Sequence, residues 1–148
     1  LEPKAQFVHQ LRARAFFSIE DFESSLHECN LEIKKNSQYA EAYCDRAYTL
    51  LELNRADEAL VSATQASLMD PKLSDAFISL AISLNRLGQY SLAMERCLQA
   101  IFLDKSNPNF YRTAGDIYCN QGDLVNAIKN YDLALTKESN FFIGAFQN

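Results

Sequence analysis

The chain has 148 residues, of which 48% are hydrophobic and 22% charged, with a formal net charge of −5. That balance excludes a disordered chain and allows either one domain or about four short repeats. The 14 basic residues are scattered and outnumbered by 19 acidic ones, so no basic stripe exists for a nucleic-acid backbone, and nucleic acid is not an expected partner. No apolar run approaches the ~18 residues of a spanning helix, so no membrane partner is expected.

Read in chain order, residues 6–39 form the least regular unit. It turns at Ile19-Glu20-Asp21-Phe22 and carries His9, Ala13, Ser25 and Glu32 where later units have an aromatic residue, a small residue and two alanines. Residues 40–73 show the plan. Tyr43, Ala47, Leu50 and Leu51 mark a first helix from about Ala40 to Leu53, and Ala59, Leu60, Ala63 and Ala66 a second from about Ala56 to Met69. Asn54-Arg55 joins them, and Asp70-Pro71 closes the unit because Pro cannot continue a helix. In residues 74–107, Gly88 suits the left-handed conformation that ends many helices. In residues 108–141, Gly122 takes that place and Pro108 suits a first helical turn. Residues 142–148 read as the start of a further or capping helix, cut short, so the chain reads as a piece of a larger protein. Phe141, Phe142 and Phe146 are expected to cover the last hairpin or meet another molecule.

The units recur at a fixed distance. Ala59, Ala93 and Ala127 are 34 apart, as are Ala66, Ala100 and Ala134; Tyr43 returns as Phe77 and Tyr111, and Ala47 as Ala81 and Gly115. Such a period means stacked supersecondary units. The pattern resembles the tetratricopeptide repeat (TPR) family: Phe77, Leu80, Ala81, Leu84, Ala93, Cys97 and Ala100 fill it in one unit, and Tyr111, Ala114, Gly115, Tyr118, Ala127, Tyr131 and Ala134 in the next. The resemblance implies an all-α, right-handed superhelical solenoid of four TPR helix-turn-helix repeats, the first degenerate.

It also assigns directions. The first helices of such units line a concave groove, whose slots here hold Gln10, Arg14 and Phe17, then Cys44, Tyr48 and Leu51, then Ile78, Ile82 and Asn85, and then Arg112, Asp116 and Cys119. An apolar middle with arginines at its edges suits a peptide, since a buried centre provides most binding energy. The expected peptide-binding residues are Arg14, Phe17, Cys44, Tyr48, Leu51, Ile78, Ile82 and Arg112. The carboxylate clamp by which some TPR co-chaperones hold Hsp90 or Hsp70 needs five polar groups. Its slots hold Gln10, Arg14, Tyr48, Ile78 and Ile82 in one window, and Cys44, Tyr48, Ile82, Arg112 and Asp116 in the next. The asparagine ladder of certain glycosyltransferase arms is replaced by Leu11, Asp45, Ser79 and Thr113. Neither specialised role is expected.

No catalytic motif stands out. A Gly-rich phosphate loop, H-E-x-x-H and G-x-S-x-G are absent, and the pairs Glu20-Asp21 and Asp57-Glu58 sit where second helices begin, a position that favours negative charge. Cys29, Cys44, Cys97 and Cys119 form no C-x-x-C pair and the chain has two histidines, so no metal site is expected; free thiols fit a reducing, cytoplasmic setting. The expected function is a non-catalytic, cofactor-free scaffold for a protein or peptide with apolar anchors. Two alternatives are a small acidic secretion-type chaperone and the substrate-docking arm of a larger enzyme. Exposed repeat ends would also permit a homo-oligomer.

Overall fold

The computed structural model describes residues 7–146, with side chains through residue 140. Gln6 of the first expected unit and the side chains of Phe141, Phe142 and Phe146 therefore lie outside the described residues. Eight helices account for the described fold: α1 (Val8–Ser18), α2 (Phe22–Lys35), α3 (Ala40–Glu52), α4 (Ala56–Met69), α5 (Ser74–Arg86), α6 (Tyr90–Leu103), α7 (Pro108–Asn120) and α8 (Leu124–Phe146). They pair as antiparallel hairpins α1–α2, α3–α4, α5–α6 and α7–α8. Odd-numbered helices also touch one another in succession, whereas each even-numbered helix meets its own partner and the odd-numbered helix that follows. The chain is thus a solenoid with α1, α3, α5 and α7 on its inner wall.

The same turn closes all four hairpins. Residues 20, 54, 88 and 122 have φ of 61°, 59°, 76° and 81°. In each turn two amides reach back to carbonyls in the preceding helix: Gly88 to Asn85 at 3.1 Å and Gln89 to Leu84 at 2.9 Å, with equivalents at 20–21, 54–55 and 122–123. This is a Schellman ending, which satisfies carbonyls that the helix leaves unpaired. Glycine adopts it without strain at two turns; Glu20 and Asn54 adopt it despite their Cβ atoms. A second device breaks the chain between hairpins. Asn36, Asp70 and Asp104, 34 residues apart, each accept a bond on the side chain from the amide two residues on, at 3.4, 3.0 and 3.0 Å.

The fourth such position is Glu138, and there the helix continues. Its longer side chain does not close that turn; it takes the guanidinium of Arg112 at 2.8 Å instead. Without a turn-former or a proline, α8 runs 23 residues to Phe146, against 14 in α2, α4 and α6. Residues 142–146, expected to begin a further or capping helix, continue α8.

Small residues let the helices approach. Ala47, Ala59, Ala63, Ala81, Ala93 and Ala100 are wholly buried, and a Cβ added at Gly115 would lie 2.5 Å from the Tyr131 ring. Two core clusters form around them, with Tyr48, Leu60, Phe77 and Ile82 packed against both. Tyr43 and Tyr111 send their hydroxyls to the carbonyls of Ser37 and Lys105, each at 3.0 Å. Phe77, in the intervening repeat, has no hydroxyl to do so.

Candidate functional site

The inner wall is built from one helical stripe repeated four times, so Arg14, Tyr48, Ile82 and Asp116 occupy equivalent slots. Tyr48 and Ile82 are half-buried neighbours, sharing the same core clusters. Arg14, Phe17 and Tyr48 come together in a cleft of about 320 Å³ between α1 and α3, with Ala13, Asp45 and Thr49. Phe17 is fixed there by an edge-on contact with Phe22, ring centres 5.3 Å apart. The structure does not bring the other expected residues to this surface. Cys44, Leu51 and Ile78 are only 3%, 2% and 2% exposed and form the floor beneath it. Arg112 stands at the far end, bound to Asn109 and Glu138.

Asp45 organises the first joint. Its carboxylate accepts Gln10 Nε2 at 3.1 Å and Arg14 Nε at 3.0 Å, so the arginine arrives with its charge already partnered. Tyr39 donates its hydroxyl to Gln10 at 2.9 Å. Burial, and then the charge of Asp75, raises the pKa of the Tyr48 phenol, which remains neutral. The same two causes raise the Cys44 thiol, with Asp45, Glu41 and Asp70 adding to them. Asp75 is itself exposed, and in α5 it stands three residues before Ile78 and seven before Ile82, which puts it on the same helical stripe as the groove slots. The surrounding wall displaces enough water to raise its carboxyl pKa, Asp45 raises it further, and Arg14 opposes both.

The outer face carries apolar residues that the groove assignment passes over. Leu68, Leu98 and Phe102 are 76%, 56% and 77% exposed. They rim two adjoining clefts of about 550 and 410 Å³ along α4 and α6, which share Pro71 and Phe77. A signal for them exists in the sequence: equivalent positions in other units hold Thr64, Asp132, Lys34 and Thr136, so these apolar residues are not demanded by the repeat. Among the described residues no cluster of His, Cys, Asp or Glu could hold a metal ion, and no helix is long and apolar enough to cross a membrane.

The sequence model of the tetratricopeptide repeat family matches residues 40–73. The fold superposes on TTC0263, a TPR protein of Thermus thermophilus, with a TM-score of 0.83 over 92% of this chain and 75% of that one, at 17% identity. The chain folds as a TPR solenoid. The second TPR domain of human RPAP3, in complex with the HSP70 peptide SGPTIEEVD, gives a TM-score of 0.71 over 78% of this chain and 97% of that domain, at 23% identity. In sequence, a small glutamine-rich tetratricopeptide repeat-containing protein of Mycosarcoma maydis is 28% identical over 102 residues, 68% of this chain and 29% of the relative. The chain spans less than a third of the length of the curated relatives it matches.

Proposed function

We propose that the chain is a non-catalytic adaptor that holds a peptide or helix of another protein along its concave groove. The observation that carries this reading is the α1–α3 cleft, large enough for one apolar side chain and lined by Arg14, Phe17 and Tyr48. Tyr48 and Ile82 provide the apolar contact surface. Cys44, Leu51 and Ile78 hold that surface up from below, and Arg112 marks the distal edge. The peptide-bound RPAP3 domain supports the general mode, since its fold is shared.

The test is selection of random 12-residue peptides displayed on phage, using the immobilised chain. Peptides selected on the wild type should lose about tenfold or more in affinity for Tyr48→Ala with Ile82→Ala, because a buried apolar anchor contributes about 2 kcal/mol. Circular dichroism must first show the double variant folded. Wild-type affinity in a folded double variant would rule the groove out and move attention to the clefts around Leu98 and Phe102.

A further inference from the structure

We propose that the groove's occupant is a basic, apolar peptide: one apolar side chain enters the α1–α3 cleft, and an adjacent Lys or Arg reaches past Tyr48 to Asp75. This rests on the groove reading above and adds the chemistry of the ligand. Charge complementarity carries it. Both arginines in the groove-facing slots are already engaged, Arg14 by Asp45 at 3.0 Å and Arg112 by Glu138 at 2.8 Å. The carboxylates are not matched in the same way. Among the described residues Asp75 makes no hydrogen bond or ion pair, and its charge bears on the Tyr48 hydroxyl. Glu41, one repeat before it in the equivalent slot, bears on Tyr39 and Cys44. Asp116 accepts only the neutral hydroxyl of Tyr131, at 2.7 Å.

The surface left to a ligand is therefore apolar at its centre and negative around it. A cationic side chain there gains from Asp75 and more weakly from Asp45, whose charges both bear on Tyr48, in a concavity that holds less water than an open surface. An acidic segment meets the same field as repulsion. Asp75 also lies in the first turn of α5, where the helix dipole favours a carboxylate. That accounts for an acid at this position but not for its lacking a partner beside the half-buried Tyr48 phenol. Asp57, in the first turn of α4 and exposed, shares the dipole without the groove, so Asp57→Asn is the matched control.

The phage selection decides it. Wild-type chain should return peptides in which Lys or Arg lies within two positions of Leu, Ile, Phe or Met, with Asp and Glu depleted. A synthetic copy of one such peptide should bind Asp75→Asn about tenfold more weakly at low salt, with the gap narrowing at about 0.5 M salt. Asp57→Asn should bind it as wild type does. Peptides that depend on Tyr48 but carry no basic residue, or bind Asp75→Asn as tightly, overturn the charge assignment and leave the groove reading standing. Selected acidic peptides overturn it as well. Peptides indifferent to Tyr48→Ala, or no selected peptides at all, overturn both readings.

Discussion

The first and third hairpins share a backbone plan, but different chemistry fills the space between their helices. In the third, the close-approach slots hold Ala81, Ala93, Cys97 and Ala100, all wholly buried. In the first they hold Ala13, Ser25, Cys29 and Glu32. There Ser25 donates to the carbonyl of Ala13 at 2.9 Å, and Glu32 accepts the amide of Gln10 at 3.3 Å. Glu28 joins them, taking His9 at 2.7 Å and Arg12 at 2.8 Å. Close packing of small, mostly apolar residues joins the two helices of the third hairpin. A polar hairpin must also hold its polar groups out of water, and the Oε1 atom of Glu32 is buried there without a partner. The first hairpin should therefore be the weaker of the two.

The largest effect should come from crowding the apolar hairpin. Ala81→Leu or Ala100→Leu should each destabilise by about 1–3 kcal/mol, whereas Ser91→Leu, at an exposed position of α6, should change little. Thermal melts of the three variants check this, and three equal midpoints would contradict the close-approach account.

Thiol chemistry can compare the hairpins directly, because each holds a buried cysteine. Burial pushes the thiols of Cys29 and Cys97 up to about 12 from the ordinary value of 9.0, so at pH 8 both are neutral until their hairpin opens. Cys29 should react with a maleimide about tenfold faster than Cys97, which corresponds to ~1.4 kcal/mol easier opening; Cys119 is exposed and must first be replaced by Ser. Equal rates would mean that the array opens as one unit. The same shifts set a direction with pH. The folded state holds these protons more tightly than the unfolded chain, so their contribution is fully present below pH 9 and is lost as pH rises toward 12. Melting temperatures measured from about pH 8 upward should fall beyond about pH 9, and less steeply in Cys97→Ala.

The smallest effect should be Glu32→Ala, which gives the first hairpin the alanine that Ala66, Ala100 and Ala134 provide elsewhere. It removes a bond to Gln10 but also a desolvated carboxylate, and the two nearly offset. The expected change is within ~1 kcal/mol, read from a urea titration. A loss as large as that of Ala100→Leu would show that the polar hairpin is as tightly specified as the apolar one.

Periodicity made most of the fold legible. Helical spacing placed α3 at Ala40–Leu53 and α4 at Ala56–Met69, and they run Ala40–Glu52 and Ala56–Met69. It missed the run of α8 through residue 141, because that depends on one side chain being too long for a turn: Glu138 in place of Asn36, Asp70 and Asp104. For the groove, a slot in a repeat gives a direction and not a depth. Cys44, Leu51 and Ile78 point toward the wall, yet the next hairpin covers them, and only the packed array reveals which of the eight named residues stay open. The Asp45 pairing with Arg14 and Gln10 joins residues 31 and 35 positions apart, beyond the reach of any pattern within a helix.

The unbroken α8 has a mechanical consequence. The nine residues from Glu138 to Phe146 extend about 13 Å beyond the length of the other second helices, at ~1.5 Å of rise per residue. A fluorescent domain fused after Phe146 would be steered by this strut rather than tumbling on a tether, so its emission should depolarise at the rate of the whole solenoid. Glu138→Asp with Ser139→Pro would install the breaker found at Asp70-Pro71, and the attached domain should then rotate faster than its mount.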